Sequence, residues 1–500
     1  MLQRSLIWFK VRNFSTERPC LPPCKYKPLV YKGPSYNNIR SAFADRIFPS
    51  VKQYYKEPLL INEGKAQWLW DHTGKRYLDM FAGIVTVAVG HCHPKVVSAM
   101  TDQASRLGHI SGLYMHPYLH EYVEKLTNKF PKELNVVYLC NSGSEANELA
   151  FLMSRIYTGE NYIVSLRNAY HGGSYSSAAA SGMTTWRYSI AQPTGHVHTM
   201  NPDVYRGPWG NSGCRDCPVK PAEKICSCSS MRCEASEKYF HQLEDVLRST
   251  LPNSGKLAGF IAESIQGIGG VVQYPKGFLK KVRKLVRAKG GLFIADEVQT
   301  GFGRTGEHFW GFEGHDLTPD IVTLAKGIGN GFPLSAVVTT KEIADSLNKA
   351  LHFNTFAGNA VACAVGSAVL DVIEEEGLQE NSRVVGTYLL NRLFTLIEEF
   401  PYIVGDVRGK GLMIGVELIQ NPKTKEHLSS EQMADIFEDI KDMGVLVGKG
   451  GLYGNVLRIK PPLCVTKEDS DYAFEVIKTA LQRHKEKHMR AGEPVICNGI

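Results

Sequence analysis

The chain has 500 residues, 43% of them hydrophobic and 21% charged, figures that exclude a disordered or fibrous protein and leave room for two or three domains. Its net charge of +7 comes from 57 basic and 50 acidic residues spread along the chain; the local excesses, at residues 280–287 and around Arg483, have the spacing of solvated helix faces, so no nucleic-acid partner is expected. The longest apolar stretch near the front, Met80 to Val89, is too short to span a bilayer, so no membrane partner is expected either.

In chain order, residues 1–14 read as an address rather than a fold. Arg4, Lys10 and Arg12 are basic, no acid precedes Glu17, and Leu2, Leu6, Ile7, Trp8, Phe9 and Val11 supply an apolar face. This is the composition of a mitochondrial transit peptide, with a matrix-processing pattern at Arg12-Asn-Phe14-Ser15, and it predicts the mitochondrial matrix. Residues 15–95 read as an N-terminal arm and the first part of a small domain, with strand signals at Trp68-Leu-Trp-Asp and Arg76-Tyr-Leu-Asp.

From 96 to 375 the pattern is that of a large domain. Strands are predicted at 135–140, 162–166, 256–262, 291–296, 320–326 and 334–339, with helical spacing at 145–156 and 277–289. Apolar strands alternating with helices predict an α/β fold around a mostly parallel, doubly wound sheet, whose ligands sit beyond the carboxyl ends of the strands. Residues 192–236, rich in Pro, Gly and Cys, read as a long loop insert. Five of the twelve cysteines crowd it: Cys214, Cys217, Cys226, Cys228 and Cys233. Cys214-Arg-Asp-Cys217 has metal-ligand spacing, and Cys226-Ser-Cys228 could complete a zinc site; the alternative is a loop of reduced thiols. Residues 376–488 predict a smaller α+β domain, and 489–500 a tail.

The chemistry gathers at strand ends. The run Gly291-Leu-Phe-Ile-Ala-Asp296 ends in an acid, and Asp320-Ile-Val-Thr-Leu-Ala-Lys326 ends in a lysine followed by Gly-Ile-Gly-Asn-Gly. At neighbouring strand tips these two could grip one aromatic cofactor, the lysine holding an aldehyde as a Schiff base and the aspartate keeping a ring nitrogen protonated. Pyridoxal phosphate needs both. Asn141-Ser142-Gly143-Ser144 opens a helix and offers free N–H groups to a phosphate. Tyr170, in Tyr170-His171-Gly-Gly, could stack on one ring face and Val298 cover the other, with Gln299 reaching the ring hydroxyl.

Together, Ser142-Gly-Ser-Glu-Ala-Asn147, Asp296-Glu-Val-Gln-Thr-Gly-Phe-Gly-Arg-Thr-Gly306 and Leu324-Ala-Lys326-Gly-Ile-Gly-Asn-Gly331 resemble the class III (ω-type) aminotransferases of the fold-type-I pyridoxal-phosphate superfamily. The resemblance covers roughly residues 50 to 485 and implies pyridoxal 5′-phosphate as cofactor. It implies Lys326 and Asp296 as catalytic residues, Ser142, Gly143 and Ser144 around the phosphate, and Tyr170, His171, Val298 and Gln299 around the ring. Glu263 and Gln266 belong to the same shell. Thr355 matches a threonine that reaches the phosphate from a partner subunit, so a homodimer with shared active sites is implied, open to further pairing into a tetramer.

Arg408, in Val407-Arg-Gly-Lys-Gly-Leu412, matches the arginine that clamps the substrate carboxylate. Relatives acting on ω-amino substrates neutralise it with a glutamate at the position of Ile268, so here it is expected to be ungated; Gly173 and Ile84 likewise stand where the ornithine type has an arginine and a tyrosine. Small amino and keto acids are the expected substrates. The cysteine insert and Gly83-Ile-Val-Thr-Val resemble the mitochondrial alanine–glyoxylate branch, which implies alanine as donor, β-aminoisobutyrate or methylated arginines as further donors, and glyoxylate or pyruvate as acceptor. A lyase acting on a phosphorylated amine and another ω-amino acid:pyruvate aminotransferase are the competing readings. Ser264, Ala357 and Ala360 depart from the class pattern.

Overall fold

The computed structural model describes residues 19–47, 50, 53–219, 228 and 232–490. The transit segment, Cys226 and residues 491–500 lie outside the described residues.

Near the N-terminus β1 (Ile61–Lys65), β2 (Trp68–Asp71) and β3 (Arg76–Asp79) form an antiparallel meander. The large sheet follows: β4 (Val136–Cys140), β5 (Ile163–Leu166), β6 (His196–Thr199), β7 (Gly259–Glu263), β8 (Leu292–Asp296), β9 (Ile321–Leu324) and β10 (Ser335–Thr339). Its order is β4-β10-β9-β8-β7-β5-β6. The strands β6, β5, β7, β8 and β9 run parallel, and β10 lies antiparallel between β9 and β4. The expected mostly parallel sheet is present.

The period of two along each strand explains why these runs read as continuously apolar. Ile261, Leu292, Ile294, Ile321 and Val337 face one side, where Ala146, Leu149, Ala150 and Met153 of the helix Gly143–Thr158 cover them. Phe260, Phe293, Ala295, Val322 and Leu324 face the other, with Leu279, Val282 and Val286 of the helix Phe278–Ala288. Both faces are dry, so both must be apolar. Two features depart from the expectation. Strand β6 lies inside the stretch read as a loop insert; its polar sequence His-Val-His-Thr is tolerated because it is the sheet edge. The helix Ala360–Glu375 is buried nearly all round and shows no helical stripe.

In the C-terminal part, β11 (Val404–Lys410) and β12 (Met413–Asn421) make an antiparallel hairpin, with β13 (Glu426–His427) on the end of β12. Then β14 (Val445–Leu446) adds in parallel to β3, tying this part to the N-terminal meander. Strands β15 (Gly448–Gly450) and β16 (Val456–Ile459) complete the order β11-β12-β16-β15. The helix Leu378–Glu399 packs on β11 and β12, Ser430–Asp442 packs on β14, and Lys467–Arg490 packs against both helices. Among the described residues no helix is long and apolar enough to cross a membrane.

Gly386 seats the first of these helices on the hairpin that carries Arg408: a Cβ there would stand 2.1 Å from the Gly411 carbonyl carbon. Backbone cannot yield as a side chain can, so Gly386→Ala is expected to lower unfolding stability by about 1–3 kcal/mol in denaturant titration, the range of overpacked cores; unchanged stability would show that the helix is not seated as described.

Candidate active site

The register of β8 and β9 sets the centre of the site. Asp296, the last residue of β8, lies opposite Thr323 of β9, three residues before Lys326. Beyond Ala325 the backbone enters the left-handed region at Lys326, with φ of +54°, and a 3₁₀ turn follows from Lys326 to Gly329. A non-glycine residue held there is strained, and such strain collects at functional positions. Lys326 is partly accessible, as a residue that must receive a carbonyl has to be. Burial of its amine pushes the ammonium pKa below the ordinary lysine value; Asp296 and Glu263 pull the other way, and Arg458 adds to the depression.

Asp296 is buried and held by three donors. Its Oδ2 accepts from Asn147 Nδ2 at 3.0 Å and lies 2.8 Å from His171 Nδ1, while Oδ1 accepts from the Val298 N–H at 3.1 Å. His171, expected beside the cofactor, thus stands behind the aspartate; its Nε2 is buried without a partner. Asn147 was not singled out in the sequence, although it closes the Ser-Gly-Ser-Glu-Ala-Asn motif one helical turn inside the helix.

The phosphate end is built by the start of the helix Gly143–Thr158. Ser142 is its N-cap: its Oγ accepts from the Glu145 N–H at 3.2 Å, and the Glu145 carboxylate accepts from the N–H groups of Ser142 and Asn141 at 3.2 and 2.6 Å. The Ser142 oxygen accepts within the cap, while its O–H remains a donor that a phosphate could take. The N–H groups of Gly143 and Ser144, in the first turn, have no intrahelical acceptor and carry the positive end of the helix dipole. A Cβ on Gly143 would lie 3.3 Å from the Val298 methyls and 3.5 Å from Ala325, so glycine lets the helix start abut the cofactor-side wall. Ser144 Oγ accepts from the Gly173 N–H at 3.1 Å. Thr355 lies exposed in a turn whose Asn354 Oδ1 accepts from Asn141 Nδ2 at 3.1 Å, beside this same helix start.

Around the expected ring position, Tyr170 is half-buried and packs edge-on against Trp186, their centroids 5.0 Å apart. Its N–H donates to Glu263 Oε1 at 3.3 Å, and Glu263 Oε2 accepts from the Gly267 N–H at 2.7 Å. Gln266 is fully buried, donates to the Arg167 carbonyl at 3.0 Å, and has an unpartnered Oε1. Gln299 Oε1 accepts from Arg458 at 3.1 Å and Lys460 at 3.0 Å, and its amide NH₂ is left to donate to a ring hydroxyl. The Ser264 hydroxyl donates to the buried Glu297, which also accepts from Thr300 and from the N–H groups of Gly311 and Phe312. Ala360 takes the first position of a helix capped by Asn359.

The expectation of an ungated Arg408 is corrected. Its guanidinium is buried and bonds Asp406 at 2.9 Å, Glu417 at 2.6 Å and the Gly270 carbonyl at 2.9 Å. Glu417 also accepts from Arg206, so it has a second cation to retire to. Arg408 and Glu417 both line a polar cavity of about 310 Å³, shared with Asn168, Asp203, Arg206 and Tyr453. Sequence reading looked for the neutralising acid at Ile268; it comes from the neighbouring strand instead. Arg458 and Lys460 were also missed. Arg408, Gly415 and Arg458 are opposed across β11, β12 and β16, so two guanidinium groups flank a residue without a side chain. Arg458 makes no ion pair among the described residues; its Nε is unpartnered, and burial pushes its pKa down to about 10. Lys460 is fully buried, and desolvation with Arg458 nearby pushes it well below the lysine range.

The zinc expectation is altered as well. Cys214 and Cys228 meet Cys233, not Cys217, and Cys226 lies outside the described residues.

A lysine with a depressed amine and a braced aspartate at adjoining strand tips, beneath a helix start with two free N–H groups, defines a site for a carbonyl cofactor carrying a phosphate. Comparison with known proteins gives the class. The family model for aminotransferase class-III matches residues 50–481. The chain is 52% identical over 474 residues to human mitochondrial alanine–glyoxylate aminotransferase 2, covering 95% of this chain and 91% of that one. It superposes on a phospholyase from Arthrobacter in complex with phosphoethanolamine (TM-score 0.80, 31% identity, 89% of this chain and 99% of that one). It also superposes on a PLP-bound amine transaminase from an uncultivated Pseudomonas species (TM-score 0.78, 31% identity, 88% and 98%). The chain belongs to the class-III aminotransferases, and it is a transaminase.

If Arg408 takes the substrate carboxylate from Glu417, Arg408→Met removes a charge-assisted clamp of about 1.5–3 kcal/mol and raises KM for amino and keto acids about 10- to 100-fold, with a smaller loss in kcat. Glu417→Gln removes the competitor and lowers KM a few-fold. Steady-state kinetics check both, and an unchanged KM in Arg408→Met would move the clamp elsewhere, with Arg458 the next cation to test.

Proposed function

We propose that this protein is a pyridoxal-phosphate-dependent alanine–glyoxylate aminotransferase of the mitochondrial matrix, acting by a ping-pong mechanism as a homodimer. The single observation that carries the cofactor reading is the Asp296–Lys326 pair, one braced by His171 and Asn147, the other partly open with a depressed ammonium. The residues present fit the group: Gly143 and Ser144 would take the phosphate, Tyr170 and Val298 would cover the ring faces, and Asp296 would face the pyridine nitrogen. The Gln299 amide, with Glu263 and Gln266, would border the ring edge. When bound, the cofactor supplies a carbonyl for an amine and an electron sink for the substrate α-carbanion.

The chain's own residues do the rest. Lys326 would carry the proton from the substrate α-carbon, acting as base and then acid; burial lowers its ammonium pKa, which favours the base role. Asp296, held by its three donors, would face the ring nitrogen and favour its protonated form. Arg408 would exchange Glu417 for the substrate carboxylate, which would hold small amino and keto acids by that end. Glyoxylate then takes the amino group in the reverse sequence. The name of the human relative supports alanine and glyoxylate as the pair, and its mitochondrial label accords with the basic, acid-poor first fourteen residues. The exposure of Thr355 between Phe353 and Phe356, with Leu113, Tyr114 and Met115 also exposed, supports a second copy of the chain covering this face, which brings Thr355 to its neighbour's phosphate.

Arg458 and Lys460 favour one other reading. They are buried cations near Lys326 without an acid bonded to them, as a lyase for a phosphorylated amine would need, and one structural neighbour is such an enzyme.

Lys326→Ala is expected to abolish both turnover and the cofactor's visible absorbance; retained turnover would contradict the mechanism. Single-turnover spectra separate the substrates: alanine is expected to convert the cofactor to its amino form, and β-aminoisobutyrate to do so more slowly. Conversion by phosphoethanolamine alone, with phosphate release, would replace the transaminase assignment with the lyase.

A further inference from the structure

Transamination makes no use of the cysteine-rich segment, yet the fold assembles part of it. Cys214 ends a 3₁₀ turn, Cys228 lies fourteen residues on, and Cys233 is the N-cap of the helix Glu234–Thr250. Their sulfurs all lie within 4.8 Å of one another, and Cys214 Sγ stands 3.8 Å from Cys228 Sγ. Two thiolates on one tetrahedral zinc, with bonds of about 2.3 Å, are separated by about 3.8 Å; a disulfide would bring them to about 2.05 Å.

The surroundings hold the three in place. The Cys214 carbonyl accepts from the Lys276 N–H at 2.9 Å, and Lys276 Nζ donates to the Cys228 carbonyl at 3.3 Å. Cys214 and Cys233 are buried, while Cys228 is partly exposed at a groove lined by Trp209, Asn211 and Glu234. Cys217, also buried, is outside the triad and serves as an internal control.

We propose that Cys214, Cys228 and Cys233 bind one zinc ion as three thiolates, with the fourth position filled from the groove side, and that this ion clips the insert to the body of the protein. The metal is soft and thiolate-loving, and a reducing compartment keeps the ligands available for it. The clip has a further consequence that rests on the reading of Arg408 as the carboxylate clamp. Arg215, next to Cys214, forks both oxygens of Asp406 at 2.8 Å and the Val407 carbonyl at 2.8 Å, and Asp406 in turn holds Arg408. Loss of zinc therefore loosens the strand that carries the clamp.

The test uses the full-length holoenzyme, purified with reductant and without chelator. Elemental analysis is expected to find about one zinc per chain. Chelated protein given cobalt(II) is expected to develop the charge-transfer absorption of cobalt–thiolate bonds. Cys214→Ser, Cys228→Ser and Cys233→Ser should each lose the metal, while Cys217→Ser keeps it. Wild-type protein that holds no zinc and develops no cobalt–thiolate absorption under reducing conditions would overturn the proposal, as would a Cys233→Ser variant with full metal. Because the cobalt spectrum is read on the unmutated chain, a variant that fails to fold does not decide the matter. Because the readout is metal rather than turnover, failure here leaves the transaminase reading intact; a zinc-bound protein whose KM is unmoved by chelation would cut only the link to Arg408.

Discussion

Everything in this molecule depends on the parallel pairing of β8 with β9. That register places the Asp296 carboxylate and the Lys326 amine at the same end of the sheet, one residue in regular strand and the other itself the left-handed break after β9. A slip of one residue would turn either side chain to the opposite face. The register is protected by the dry faces on both sides: Ile294 and Ile321 face one helix layer, Ala295 and Val322 the other, and none can be exchanged without exposing apolar surface or burying a charge.

A second constraint is electrostatic. The protein buries several cations around the site, and each is treated differently. Arg408 is neutralised by Asp406 and Glu417, Lys326 is pushed toward its neutral form, and Arg458 and Lys460 share a single amide oxygen of Gln299. Breaking a buried pair by removing one partner typically costs about 3–5 kcal/mol, so these arrangements are maintained only where the rest of the fold is stable enough to carry them. An arginine held between two acids can release one of them to an incoming carboxylate without ever being left bare, and Arg206 stands ready to keep Glu417 satisfied meanwhile.

Much of this was legible in the sequence. The strands of the large sheet were readable because both faces are buried, and the lysine and aspartate stood out because a charge ending an apolar run needs a reason. Residues drawn together across the small sheet were not. Glu417 and Arg458 sit nine and fifty residues from Arg408, and only the pairing of β11, β12 and β16 reveals that all three share one neighbourhood. His171 was found as part of the cofactor shell, but nothing in Tyr-His-Gly-Gly says that its ring reaches Asp296. Strand β6 was hidden by its histidines and the helix Ala360–Glu375 by its lack of a polar face. Cys233 was counted among the insert's thiols but left out of the zinc set, because spacing rules favour C-x-x-C pairs and the triad closes through the fold.

The central claim is that Lys326, and no other buried lysine, bonds the cofactor carbonyl. Lys460 is the natural competitor, since it is deeper, equally depressed in direction and close by. Borohydride reduction of the holoenzyme, followed by proteolysis and peptide mass spectrometry, reads the bonded lysine directly. The account predicts the phosphopyridoxyl mass on the peptide containing Lys326 alone; the same mass on the peptide containing Lys460, with Lys326 unmodified, would contradict it.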